Sequence, residues 1–284
     1  MKSTDVSLEN RIAEARESIA SADSVIIGAG AGLSTAAGID YSGPAFRKEF
    51  AEYIRRYGFT DLYTSSFFPF ETEEEKWAYL SKHVMFARFD PPALPLYKDI
   101  LSLVSGKNYF VITTNVDGQF RKASFKSSRI FEVQGDYAYI QGVRALDGKR
   151  YYAEDLFRKM VAEQKACRIP TELVPRCPGT GEPMDINVRK DQYFVQDESW
   201  EKQAEAYSEF LGSARKGRIV LLEFGVGFNT PTIIRFPFEQ MAARLPNVTL
   251  IRFNKDYPGR QLDGTGSFIP FPELSTQVIE SLWR

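Results

Sequence analysis

The sequence predicts an α/β protein: a doubly wound parallel sheet with a smaller subdomain inserted into it. Three observations point there. Five short runs, SVIIGAG (24–30), NYFVITTN (108–115), RIFEVQGD (129–136), GRIVLLEFGVG (217–227) and VTLIRFN (248–254), are almost continuously apolar, as strands covered on both faces must be. Helix-like segments separate most of them, the alternation that parallel crossovers need. The runs end in glycine or polar residues, Asn115, Gln134, Gly225 and Asn254, which would lie along the carboxyl edge of the sheet, where such folds bind ligands.

The elements follow in order. Leu8, Ile12, Ala15 and Ile19 recur at helical spacing, so residues 7–20 read as an amphipathic helix with Ser7 as a candidate N-cap. The first strand then runs into a glycine loop, GAGAGLSTAAGIDY (28–41). Residues 41–104 are too long for one crossover and rich in Trp, Phe and Tyr, which reads as a helical segment capping the sheet; its acidic run ETEEEK reads as a solvated helix end. GFTDLYTSSFFPF (58–70), with a glycine, many aromatics and no helical period, suggests that residues 41–70 move over a bound ligand. Residues 137–200 break the alternation again. There Asp147-Gly148 suits a hairpin turn and both cysteines follow, which reads as a small inserted subdomain. The sheet domain is therefore expected to comprise 1–40, 105–136 and 201–284.

Composition bounds the function. At 284 residues, 43% hydrophobic and 26% charged, the chain can bury the core of one large domain, alone or with a small insertion. A net charge of −1 gives no general reason to bind nucleic acid or an anionic membrane. Cys167 and Cys177 cannot make a disulfide framework, and the N-terminus lacks the apolar run of a leader or a membrane span, so the cytoplasm is the expected location. One histidine, His83, leaves no room for a multi-histidine metal site and, set on a helix about 80° from the stripe of Trp77, Leu80, Val84 and Ala87, reads as a flank residue rather than a catalytic base.

Glycines after a buried strand let a backbone approach a pyrophosphate, and the free N–H groups of the following helix supply positive potential. The dehydrogenase spacing G-x-G-x-x-G is not met, because Leu33 or Thr35 stands where the third glycine belongs, and no Gly-Lys-Ser/Thr follows. No second strand ends in an acidic residue about twenty positions on, as a dinucleotide oxidoreductase requires. Spacing alone says only nucleotide, and a strand-to-helix turn that binds nothing is the alternative.

GAGLSTAAGI (30–39), TTNVDG (113–118), VQGD (133–136), FGVGFNTP (224–231) and RFN (252–254) occur in the order and approximate spacing of the sirtuin family, which the chain resembles over most of its length. The resemblance implies a Rossmann-like domain that binds NAD, with a smaller inserted module. By matching positions it implies that Gly30, Ala31, Gly32 and Ser34 hold the phosphates and neighbouring ribose. Asn115 would face the nicotinamide ribose, Asp117 the nicotinamide carboxamide, and Gly225, Gly227 and Asn254 the adenosine end. Where the family continues Pro-Asp-Phe-Arg, this chain has Asp40 and Tyr41, then an insertion, then Phe46 and Arg47; Asp40, Tyr41 and Arg47 are the corresponding cofactor residues.

Two departures carry most of the information. The family's zinc ribbon needs four soft ligands, whereas Cys167 and Cys177 stand alone in a degenerate ribbon, so no zinc is expected and both cysteines read as packing residues. Gln134 occupies the place of the histidine that, in sirtuin deacylases, removes a proton from a ribose hydroxyl; an amide cannot, and losing a general base typically costs about 10²- to 10⁴-fold. Cleavage of the nicotinamide glycosidic bond needs no such base, so a partner's nucleophile could still capture ADP-ribose.

This pattern resembles the class M sirtuins, protein ADP-ribosyltransferases with an Asn, Gln and Arg set. Asn115 and Gln134 match by motif; Arg189 is the candidate arginine by order only, and a surface arginine is its alternative. The resemblance implies a lipoylated, glycine-cleavage-H-like carrier protein as acceptor and a link to oxidative stress. NAD-dependent mono-ADP-ribosylation is thus the leading expectation. An NAD glycohydrolase, a residual lysine deacylase and a non-catalytic NAD or ADP-ribose sensor remain as alternatives.

Overall fold

The computed structural model describes residues 7–39, 41–259, 262 and 264–283. The predicted apolar runs form β1 (Ser24–Ala29), β2 (Tyr109–Thr113), β3 (Ile130–Glu132), β7 (Ile219–Phe224) and β8 (Val248–Phe253), joined at one edge by β9 (Ser267–Phe271), which the sequence reading missed. They make one parallel sheet in the order β3-β2-β1-β7-β8-β9. β9 escaped notice because it is a short edge strand carrying Pro270, a residue tolerated there because an edge strand can leave one N–H position unpaired.

Alternate residues of each strand face opposite cores. Val25, Ile27 and Ala29 of β1 pack with Ala15 and Ile19 of α1 (Leu8–Ser21), Tyr97 and Ile100 of α7 (Pro95–Val104), and Val278 and Ile279 of α12 (Ser275–Trp283). Ile26 faces the other layer, with Phe210 of α10 (Glu198–Ala214) and Phe238 of α11 (Arg235–Arg244). Ser7 caps α1 as expected, accepting from the Asn10 N–H at 3.3 Å. The chain leaves β1 towards β2 on one side and returns to β7 on the other, so the order reverses at β1 and opens a crevice beyond the carboxyl ends of β1 and β7.

The smaller module is a three-stranded antiparallel sheet, β4 (Gly135–Gly142) between β5 (Arg150–Tyr152) and β6 (Met184–Val188), backed by α9 (Glu154–Glu163). Asp147 and Gly148 lie in the loop between β4 and β5, with Gly148 at φ 63°. The segment expected to cap the sheet does not stand apart from this module. Phe46 of α3 (Pro44–Glu49), Tyr53 of α4 (Ala51–Tyr57), Leu62 of α5 (Leu62–Ser65) and Trp77 and Tyr79 of α6 (Glu73–Val84) share one apolar core with Ile140, Phe157, Met160 and Ile186. Only its last helix, α7, belongs to the large sheet. Phe46, Phe50, Tyr53, Phe59, Trp77 and Tyr79 are therefore core, whereas Tyr63, Phe67 and Phe68 are exposed, and two stretches distant in sequence make one packing unit.

Thr72 caps α6, and Glu73 to Glu75 fill its first turn, where the helix dipole favours negative charge. α6 continues into a π-helical turn, Met85–Phe89. Cys167 and Cys177 are buried, as packing residues are. Around Cys177 the small module is tied by hydrogen bonds. Glu182 accepts from the N–H groups of Arg144 (2.8 Å) and Leu146 (3.0 Å), while the Cys177 thiol donates to Asp147 at 3.1 Å. Among the described residues no group of three His, Cys, Asp or Glu side chains could hold a metal ion. Nor is any helix of the described residues long and apolar enough to cross a membrane.

His83 is a correction. It is not a flank residue: the ring is 1% exposed, edge-on to Tyr79 and to Tyr137, because β4 covers the side of α6 that an isolated helix would leave open. Neither ring nitrogen has a hydrogen-bond partner among the described residues. Burial pushes its pKa down to about 4. The unfolded chain then binds a proton that the native state refuses, so this contribution to stability is fully present above about pH 6.5 and is lost as pH falls towards the folded value. Between pH 7 and pH 5 the protein should lose roughly 2 kcal/mol more stability than His83→Phe in urea unfolding. Equal losses in the two proteins would refute this assignment.

Candidate active site

β1 turns at Gly30 into α2 (Ala31–Ala36), and β7 turns at Gly225, whose φ is 57°. These two turns interlock. A Cβ on Gly30 would lie 2.8 Å from the Gly225 carbonyl oxygen, one on Gly32 would lie 2.7 Å from Gly225 Cα, and one on Gly225 would lie 2.3 Å from the Leu33 nitrogen. Gly30, Gly32 and Gly225 are thus required by backbone packing at the switch point. This corrects the expected supply of free helix N–H groups, since Gly32 N–H donates to Gly225 (3.0 Å) and Leu33 N–H to Gly30 (2.9 Å). What the loop presents to the crevice is the backbone surface of Gly30, Ala31 and Gly32.

The next turn, after β2, carries Asn115 and Asp117. Asn115 lines the crevice with its amide nitrogen donating to the Gly30 carbonyl (3.0 Å) and to the Tyr97 hydroxyl (3.4 Å). Asp117 and Ser34 stand one layer behind. Ser34 Oγ donates to Asp117 Oδ2 at 2.5 Å and lies 3.2 Å from the Tyr97 hydroxyl, while Asp117 Oδ1 accepts from the Gln119 N–H at 3.0 Å, the first residue of α8 (Gln119–Lys122). Both side chains were expected at the cofactor; here they are buried and hold Asn115 and the glycine loop in register. Burial raises the Asp117 pKa against the lowering effect of the bonds from Ser34 and Gln119. Burial, and then the charge of Asp117, hold the Tyr97 phenol neutral. The same two causes raise Tyr41, which lines the crevice.

Gln134 lies where the chain crosses from β3 to β4, leaving the large sheet for the small one. Its carbonyl accepts from the backbone N–H of Arg189 at 3.0 Å, just beyond the end of β6. Arg189 was placed by chain order alone, and the pairing of β4 with β6 brings it beside Gln134, where both line the crevice. Its guanidinium is exposed and 5.8 Å from the Phe194 ring. Beneath this junction Arg88, on the π-helical turn, forms a two-pronged ion pair with Asp136 (2.7 and 3.0 Å) and fills the space beside Gly118, where a Cβ would meet it at 2.3 Å. Asn115, Gln134 and Arg189 thus sit on neighbouring strand ends, braced from below by one buried ion pair.

At the other side of the switch point Asn254 stitches two loops, donating to the Val226 carbonyl and accepting from the Tyr257 N–H, both at 2.9 Å. Below them is a buried charge cluster. Arg252, 1% exposed, grips Glu223 with bonds of 2.6 and 3.0 Å and reaches Glu239 at 2.7 Å. Arg235 pairs with Glu239 (3.3 Å) and donates to the carbonyls of Val226 (3.2 Å) and Tyr257 (3.3 Å).

The crevice between the sheet edge and the small module encloses about 1350 Å³. Gly30, Ala31, Gly32, Tyr41, Asn115, Gln134, Arg189, Gly225, Gly227 and Asn254 all line it. Arg47 does not: it is exposed on α3, whose inward residue is Phe46. Asp40 lies outside the described residues. Residues that the sequence reading missed are Tyr97, Arg88, Asp136, Arg235 and Arg252. Each acts through contacts between segments distant in sequence, and the one visible signal was a charged residue inside an apolar run, Glu223 in IVLLEF and Arg252 in VTLIRF.

A doubly wound sheet with a ligand crevice at its switch point and a small module inserted after β3 is the architecture of the Sir2, or sirtuin, proteins. A Sir2 homologue solved with NAD matches at TM-score 0.61 and 15% identity over 96% of this chain and 92% of that one. A mutant Sir2 homologue solved with ADP-ribose matches at 0.57 and 14% identity over 95% and 94%. At those identities the likeness is one of fold. No family model matches the chain. Over 241 residues it is 35% identical to the protein ADP-ribosyltransferase of Staphylococcus aureus (strain Mu50), covering 84% of this chain and 76% of that protein. The chain belongs to the family of that protein. It is also 33% identical over 253 residues to a probable bifunctional ADP-ribose hydrolase/ADP-ribosyltransferase of Fusarium oxysporum f. sp. cubense, but spans only 41% of the fungal protein's length.

The buried cluster beneath the crevice yields a stability prediction. Arg252→Met removes both hydrogen bonds to Glu223, leaving it Arg235 at 3.9 Å, and should destabilise the protein by about 3 kcal/mol, whereas Arg252→Met with Glu223→Leu should recover most of that loss. Denaturant unfolding of the two variants checks it; a double variant no more stable than the single one would contradict it.

Proposed function

We propose that the chain is an NAD-dependent protein mono-ADP-ribosyltransferase. The observation that carries the reading is the convergence of Asn115, Gln134 and Arg189 on adjoining strand ends, with an amide in the position where a deacylase needs a base. The names of the bacterial and fungal relatives support the same activity. NAD fits the crevice: the interlocked glycine turns offer bare backbone at the switch point, and the volume of about 1350 Å³ exceeds the roughly 300–1,000 Å³ of most small-molecule sites, leaving room for part of an acceptor.

When bound, NAD supplies a glycosidic bond whose cleavage releases nicotinamide and passes ADP-ribose to a nucleophile. Asn115 has its amide nitrogen engaged by Gly30 and Tyr97, which leaves the amide oxygen to accept from a ribose hydroxyl. Gln134 orients groups by hydrogen bonding without taking a proton, so the acceptor must be nucleophilic without help from this position. The phenol of Tyr97 and the buried carboxyl of Asp117, linked through Ser34, brace Asn115 and the glycine loop from behind.

The acceptor we propose is a lipoylated, glycine-cleavage-H-like carrier protein. The small-module wall supports it: Tyr63, Phe67 and Phe68 offer an apolar surface for an aliphatic arm, and the crevice wall carries Lys190, paired with Asp185, and the exposed guanidinium of Arg189 as cations for an acidic partner face.

Intact-protein mass spectrometry with NAD and the carrier, lipoylated or not, tests the reading. An ADP-ribose-sized gain should occur on the lipoylated carrier alone and be missing with Asn115→Ala. Arg189→Ala should lower kcat/KM for the carrier about tenfold or more, near 1.4 kcal/mol, with KM for NAD little changed. Steady nicotinamide release without any gain in mass would replace the transferase with an NAD glycohydrolase.

A further inference from the structure

The turns that carry Asn115 and Gln134 belong to different strands, and one side chain is wedged between them. α6 ends in a π-helical turn, in which the Asp90 N–H donates to the Met85 carbonyl five residues back at 2.9 Å. Such a turn holds one residue more than an α-helical turn and so aims its side chains differently. Lys122 fixes it with three donors, to the carbonyls of Arg88 and Pro91 (both 2.5 Å) and of Phe89 (3.1 Å). From this turn Arg88 grips the Asp136 carboxylate, two residues beyond Gln134, at 2.7 and 3.0 Å, and Asp136 also accepts from the Ala138 N–H at 2.8 Å. The same guanidinium lies against Gly118, three residues beyond Asn115, where φ is 62° and no Cβ fits. The two turns also meet directly, through the Tyr137 N–H and the Val116 carbonyl at 3.1 Å. Gly135, between Gln134 and Asp136, is pressed against the Asn187 carbonyl oxygen, from which a Cβ would lie 2.1 Å. Arg88 and Asp136 are buried, and neither lines the crevice.

We propose that Arg88 is a positioning residue: it sets the separation of Asn115 and Gln134 and thereby decides how ADP-ribose divides between a protein acceptor and water. The inference rests on the transferase reading of the crevice. In either outcome the glycosidic C–N bond breaks with its electron pair leaving on nicotinamide. The new bond to the same carbon comes from the acceptor or from water, whose spare proton passes to solvent. Gln134 takes no proton, so it favours the acceptor only by holding it where it can attack. Water is small and reorients freely, and a displaced Gln134 hardly hinders it. An acceptor side chain attached to a docked protein has few approaches to the ribose, and a misplacement of about 1 Å lowers such a rate about 100-fold.

Steady-state assays of the intact protein with NAD and the lipoylated carrier, read as carrier modified per nicotinamide released, test this. Arg88→Lys keeps the charge and loses the two-pronged grip; it should lower that ratio about 10- to 100-fold, with KM for NAD little changed. Asp136→Asn weakens the pair from the other side and should lower the ratio as well. With Gln134→Ala already in place, Arg88→Lys should change the ratio by less than about twofold, because a residue that acts through Gln134 then has nothing left to position. Effects that multiply in the double variant would overturn the proposal. So would an equal fall in both products, which is what general loosening of the fold produces. A parent protein that releases nicotinamide without modifying the carrier would overturn the transferase reading, and the partition with it.

Discussion

The contact on which the structure turns is the backbone-to-backbone interlock of the Gly30–Gly32 turn with the turn at Gly225. Adjacent parallel strands deliver these turns side by side, and no Cβ fits between them. The angle at which α2 leaves the sheet depends on that approach, and so does the carbonyl of Gly30, to which Asn115 is tied. On the other flank Gly225 leads into the loop that Asn254 and Arg235 hold. Widening the interlock by one methyl group would shift both halves of the crevice at once.

Around this contact the protein places costly polar groups with their partners. Asp117, Ser34 and Tyr97 form one buried network, and Glu223, Arg252, Arg235 and Glu239 another. Buried charge is poor evidence of stability, because desolvation offsets most of the attraction. What such networks add is geometry: each has a carboxylate and one or more hydrogen-bond donors beneath a loop that lines the crevice. Arg88 and Asp136 do the same under the junction of the two modules, where the chain leaves the large sheet at Gln134. The crevice wall is therefore a layer of side chains and backbone carried on ion pairs that stand behind it.

The small module is held by hydrogen bonds and apolar packing. Four thiolates would hold a zinc ribbon; here the loops at 143–148 and 176–183 meet through Glu182, Asp147 and one thiol. A Cβ on Gly142 would lie 2.2 Å from Oε1 of Glu182, so a larger residue there would displace the carboxylate from its bonds. Much of the module's rigidity comes from its apolar core with α3 to α6, a shared core that the sequence pattern divided between a cap and an insertion.

By itself the sequence determined the parallel sheet, because strands buried on both faces must be continuously apolar, and five of the six strands announce themselves that way. It also determined that Asn115, Gln134, Gly225 and Asn254 line one crevice, since they end those strands and a carboxyl edge is a fixed place. Tertiary structure decided what depends on contacts between distant segments. The burial of His83 by β4, the placing of Arg189 beside Gln134 by strand pairing, and the retreat of Ser34 and Asp117 behind the wall are of this kind. So is the reason for the glycines, which a motif assigns to a ligand and the packing assigns first to another turn of the same chain. Periodicity records which face of an element is buried; it carries no record of which element will bury it.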